Sequence, residues 1–193
     1  MPSLPDDDLT PDRIRDPQEI ARRALALFGV VGLALGAPKD ELVPWLHNES
    51  LWGELTPQEL AYVVSPNPTK QQEVYASWRS EALVVLLWSL GLVESMPSLN
   101  EQCDTGEFQR ILPPFTDTSV EQFIATASRR PDEVLTALAD ALLNSHWEAR
   151  NARSHGRPVP SHLDIGIIQE RHHAINWVIG YDGLAWDEIT TDT

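Results

Sequence analysis

The stretch from Tyr75 to Val93, YASWRSEALVVLLWSLGLV, constrains this chain more than any other. Thr69 followed by Gln72 has the pattern of a capping box, and Gly91 supplies a stop. At helical periodicity the residues from Ala82 to Leu90 place apolar side chains on every side. A helix that is apolar all round must be buried all round. This one is too short to cross a bilayer and carries Arg79 and Glu81 near its start. The expectation is a buried central helix over residues 70–91, with the remaining chain wrapped around it.

The other segments read as helices that can do the wrapping. Asp16, Pro17 and Glu19 open a helix over residues 17–35 that Gly36 closes. Within it, Arg22-Arg23 ahead of an apolar run mimics a twin-arginine signal, but the acidic lead-in and the clean cap favour a retained core helix. Shorter helices are expected over residues 39–48, where Pro44 starts or kinks the helix, and from Thr56 to about residue 64. Thr118 and Glu121 read as the start of another, to about residue 129. A long helix follows over about 131–155, and Asp164 caps a last one that ends at Gly180. No segment alternates well enough for a strand. The predicted fold is an all-α single-domain bundle of about seven helices around the central one. A loose N-terminal arm is expected over residues 1–15 and a single helical domain over 16–193.

Charge narrows the partners. The chain has 29 acidic and 14 basic residues, a net charge of -15, and the acids are spread along its length. With no basic stripe, nucleic acid is not an expected partner, and with no apolar span neither is a membrane. A basic protein partner suits this charge, as does plain solubility. Cys103 is the only cysteine, so an internal disulfide is ruled out and a reducing cytoplasm is the expected location. Glu101, Asp104 and Glu107 around it would raise its thiol pKa.

Several polar residues fall where the helical wheel demands core. Glu81 lies among Val84, Val85 and Trp88, and Arg79 beside Leu83, Leu86 and Leu90. In the last helix, Glu170 and Arg171 fall inside the apolar arc, while Gln169, His172, His173 and Asn176 fall opposite. His146, Arg150 and Arg153 continue the apolar stripe of the long helix before it. Charges are rarely buried unpaired, so these groups are expected to meet in one network across three helices. Because the bases outnumber the acids there, the C-terminal tail is expected to dock and supply Asp187, Asp192 or the Thr193 carboxylate. The candidate polar cluster is Arg79, Glu81, His146, Arg150, Glu170, Arg171, Asp187 and Asp192. Two readings of it stay open, a fixed network that sets helix register and an active or binding site.

Glu170 and His173 have the spacing of a di-iron motif, but no second copy exists, and no histidine pair has metal-binding helical spacing. No phosphate loop, nucleophile elbow or dinucleotide fingerprint occurs. No metal and no cofactor are expected.

Four motifs together resemble a known family. They are WRSEALVVLLWSLG (Trp78 to Gly91), HWEAR (His146 to Arg150), ERHHAINWVIG (Glu170 to Gly180) and WDEITTDT (Trp186 to Thr193). The combination is similar to a bacterial family defined as a domain of unknown function, number four-two-seven-two. The resemblance implies a single cytoplasmic helical domain and brings no catalytic residue or cofactor. Two functions are carried forward. One is a non-enzymatic interaction or scaffold protein for a basic partner. The other is an enzyme or small-ligand binder built on the Arg/Glu/His cluster, which an open pocket at that cluster would favour.

Overall fold

The computed structural model describes residues 13–192. Among them are eight α-helices and no strand. They are α1 (Pro17–Ala34), α2 (Lys39–Asn48), α3 (Pro57–Val64), α4 (Lys70–Ser89), α5 (Phe108–Ile111), α6 (Val120–Ala125), α7 (Asp132–Ser154) and α8 (Ile165–Ile179). Among the described residues no helix is long and apolar enough to cross a membrane.

Helix α4 is the axis of the bundle. Every residue from Arg79 to Leu90 is buried, so the all-round apolar pattern is matched by cover on all sides. Its longest contacts are with α1 on one flank and α8 on the other, and α7 packs on the far side of α8. Thr69 and Gln72 form the capping box at its start. At its end Gly91 takes φ +75°, and Leu92 N–H donates to Leu87 O at 2.9 Å, closing the helix in a left-handed turn. Carbonyls at this end of the helix and just past it are met by Arg130, whose guanidinium donates to Trp88 O at 2.7 Å and to Val93 O at 2.9 Å.

The sequence expectations differ from the structure in places with clear causes. Helix α6 is capped by Ser119, whose hydroxyl accepts from Gln122 N–H at 3.1 Å, rather than by Thr118. Of the expected loose arm, residues 1–12 lie outside the described residues. Residues 13–15 are held against the end of α8. Arg15 N–H donates to Val178 O at 2.9 Å, its side chain donates to Trp177 O and Leu184 O, and its guanidinium lies 4.4 Å from the centre of the Trp177 ring.

Past α8 the chain turns back along the bundle in two 3-10 turns, Tyr181–Gly183 and Trp186–Glu188. Trp186 and Ile189 are buried, and Asn176 Nδ2 donates to Thr190 O at 3.1 Å, so this tail is a docked part of the domain. Its last residue, Thr193, lies outside the described residues.

Candidate functional site

Among the described residues three Arg–Glu pairs lie in the interior, and they differ in what surrounds them. The first joins α4 to α8. Arg171 has no exposed surface, and its Nε and Nη2 donate to Glu81 Oε2 at 2.9 and 2.7 Å. Its other donors go to the carbonyls of Pro97 (2.6 Å), Ser98 (3.0 Å) and Glu101 (3.3 Å). Glu81 Oε1 accepts from Cys103 N–H at 2.8 Å. Every guanidinium donor is used, and the pair straps the segment 97–103 to the core. Cys103 sits in this sealed region. Burial first, and then the Glu81 charge, push its thiol up to about 12, so it is no nucleophile at neutral pH.

The second pair, Arg23 with Glu59, joins α1 to α3. Arg23 also donates to Glu54 O at 2.8 Å, and its guanidinium lies 4.3 Å from the centre of the Trp186 ring. Glu59 accepts from Thr56 N–H at 3.0 Å, so one carboxylate both caps α3 and neutralises a buried arginine.

The third pair borders open space. Arg79 Nη1 donates to Glu170 Oε2 at 2.9 Å across α4 and α8, with the Tyr75 ring centre 5.0 Å from the guanidinium. A polar cavity of about 150 Å³ opens beside it, lined by Gln58, Tyr75, Gln169, His173, Asp187, Ile189 and Thr191 as well as the pair itself. A larger cavity of about 390 Å³ adjoins it and shares Gln58, Tyr75, Arg79 and Asp187. Its remaining wall includes Val30, Ala61, Tyr62 and Ala76. Together they form one groove between α3, α4 and the tail, apolar in its body and polar at the Arg79 end.

The electrostatics of the polar end follow from burial. Burial pushes the Glu170 carboxyl up, against the pull of Arg79. The His173 imidazole is pushed down to about 3, first by burial and then by the charges of Arg79 and Arg23. It is therefore neutral, and its Nε2 is buried without a hydrogen-bond partner. The charged groups at this end are one cation, Arg79, and two carboxylates, Glu170 and Asp187. Asp187 Oδ2 stands 3.5 Å from Gln58 N in the first turn of α3, where the helix dipole favours negative charge.

The eight candidate residues do not form one network. Arg79, Glu170 and Asp187 share the groove, whereas Glu81 and Arg171 form the sealed strap. His146 instead meets His172, with Nδ1 to Nδ1 at 3.1 Å, between α7 and α8. Arg150 joins neither acid. It is exposed, and its Nη1 reaches Thr191 O at 3.4 Å. Among the described residues, no ion pair involves Asp187 or Asp192. The expected need for tail carboxylates is removed by backbone carbonyls, which absorb the donors of Arg171 left over from Glu81.

Sequence reasoning missed Arg23, Glu59, Tyr75 and Gln58 as site residues, and it set His172 and His173 on the face opposite the apolar arc, outside the candidate cluster. Arg23 was legible in principle, for it shares the buried side of α1 with Ile20, Leu27 and Val30, whereas its neighbour Arg22 is exposed. His172 and Asn176 fall outside the apolar arc of α8 yet are buried, because α7 and the tail cover that face as well.

Among the described residues no three His, Cys, Asp or Glu side chains gather in a way that would hold a metal ion. No curated protein and no solved structure matches the chain. The family model of a domain of unknown function, DUF4272, matches residues 2–189, a span that takes in all three Arg–Glu pairs, the His146–His172 contact and the tail as far as Ile189. The chain belongs to the DUF4272 family.

Proposed function

We propose that this protein binds a small molecule in the groove between α3, α4 and the tail. The observation that carries this reading is the contrast among the interior ion pairs. Glu81–Arg171 is closed off by carbonyls, whereas Arg79–Glu170 lies on an open polar cavity continuous with an apolar one. Concave sites with an apolar body and a few convergent polar groups are where small ligands bind. The two carboxylates outnumber the one guanidinium, so the polar end selects a head group that donates hydrogen bonds and is cationic. The apolar body, between Val30, Tyr62 and Ala76, takes an aliphatic or aryl portion of the same molecule. A reducing cytoplasm suits the lone, buried Cys103. The other reading, a scaffold for a basic protein, rests on the net charge of -15, which by itself serves solubility.

The test is a calorimetric and NMR titration with arylalkyl amines and the matching arylalkyl carboxylates. Amines are expected to bind saturably and to perturb Tyr75 and Trp186, with Asp187→Asn weakening them about tenfold, the loss of one charge-assisted contact. Equal binding of the two series, or none of either, would overturn the reading.

A further inference from the structure

A second cavity, of about 530 Å³, lies on the other side of the tail between α7 and α8. It meets the groove only at Gln169 and Thr191, which line both. Its walls include Arg150 and Arg153 from the last turns of α7, with His146 one turn deeper. Most arginines of this acidic chain are neutralised by its own carboxylates. Arg13, Arg15, Arg23, Arg79, Arg110, Arg129 and Arg171 each pair with an acid. Arg150 and Arg153 do not among the described residues, although Asp192 lines the same cavity. The one contact of Arg150 there, at 3.4 Å to Thr191 O, is long for a charge-assisted hydrogen bond and leaves its other donors available. Among the described residues that line it, two guanidinium groups face one carboxylate, a positive balance on a chain of net charge -15.

The floor is polar but uncharged. Burial, and then the neighbouring charge of Arg150, push His146 down from its ordinary range. Its Nδ1 is engaged with His172 Nδ1 at 3.1 Å. If His172 donates in that contact, the proton of neutral His146 sits on Nε2 and can be offered to an acceptor. An anion resting on His146 selects that arrangement, so the His172 ring would position His146 as a donor.

We propose that this cavity binds a small oxyanion, the phosphate or carboxylate group of a ligand, through the forked donors of Arg150 and Arg153 above His146. Planar guanidinium groups match both oxyanions in bidentate geometry, and the volume leaves room for the rest of a small molecule. This inference is independent of the groove, whose Arg79 and Asp187 it does not use.

The experiment is a titration of the full chain with inorganic phosphate and, in a parallel arm, with acetate. The readouts are the guanidinium and imidazole nitrogen signals in NMR. Saturable binding at millimolar concentration is expected in at least one arm, and the stronger arm identifies the oxyanion. Binding should move the His146 nitrogens towards the Nε2–H tautomer. Arg150→Ala with Arg153→Ala should weaken it about tenfold or more, while Arg157→Ala and Asp187→Asn leave it unchanged. Both arginines are exposed, so the double variant is expected to fold, and an unchanged circular dichroism spectrum checks this. Loss of binding on Arg157→Ala to the same degree would overturn the proposal as nonspecific charge attraction. So would the absence of saturable binding in both arms. Binding that emerges only after residues 192 and 193 are removed would overturn it too, because the arginines would then be holding the chain's own carboxylates.

Discussion

At the scale of single residues, the consequence of burial is set by what a side chain loses when its partner goes. Arg171 has no exposed surface, and Glu81 is the one carboxylate against it. Glu81→Ala strands a buried charge and also removes the acceptor for Cys103 N–H, so it should cost roughly 3–5 kcal/mol. Glu101→Ala alters an exposed side chain whose backbone carbonyl still accepts from Arg171, and should stay within about 0.5 kcal/mol. Urea denaturation of both variants checks this, and equal midpoints would contradict the strap. The buried histidines lead to a second expectation. His172 and His173 are pushed down to about 4 and about 3 from an ordinary 6.5. Below pH 6.5 the unfolded chain takes up protons that the folded chain refuses, so stability must fall as pH falls from there towards 4. Measured from pH 7 to about 5, before most carboxylates titrate, the slope of unfolding free energy against pH should be positive and become shallower in His172→Asn. An unchanged slope would mean that His172 titrates normally in the fold. The sequence displayed the Glu81–Arg171 problem because two charges on two apolar faces have few ways out. It hid His172, because a wheel drawn for one helix knows nothing of a second helix on its other side.

At the scale of elements, most boundaries are legible because they are enforced by local chemistry. Thr69 with Gln72, Thr56 with Glu59 and Asp164 each satisfy free N–H groups within their own first turn. The same holds for glycine stops, but what a stop packs against is a long-range matter. Gly91 and Gly180 both take φ +75° at helix ends. A Cβ on Gly91 would meet nothing within 4 Å, whereas one on Gly180 would lie 2.2 Å from Arg13 O. Gly91→Ala should therefore cost the left-handed backbone strain alone, about 1–2 kcal/mol. Gly180→Ala must also push away residues 13–15 and with them the Arg15 N–H contact to Val178 O at 2.9 Å. Its loss of stability should be clearly larger, and amide exchange near Arg15 and Val178 should rise only in that variant. Identical losses for the two alanines would remove the packing of this segment on α8.

At the scale of the whole molecule, the tail after α8 is the element on which both candidate sites depend. Its burial was legible in outline, since Trp186 and Ile189 on a free end would leave a large apolar surface in water. How it is held was not, because its anchors are aromatic and backbone contacts rather than the expected carboxylate pairs. Trp186 lies edge-on to Trp177 and His173, with ring centres 5.4 and 4.9 Å away, and against the Arg23 guanidinium. The tail thus covers the histidine whose charge is suppressed and the arginine paired with Glu59. It also contributes Asp187 to the groove and Thr191 and Asp192 to the second cavity. Removing residues 186–193 should then do three things together. It should cost roughly 3–5 kcal/mol or more, on the scale of deleting a buried Trp from a core. It should shift the fluorescence of the remaining tryptophans to the red, because Trp177 becomes wet. It should let His173 titrate closer to its ordinary range, since the cover that keeps water from its ring is gone. A truncated chain with the stability, emission and His173 titration of the full one would show that the tail carries neither the packing nor the sites built on it.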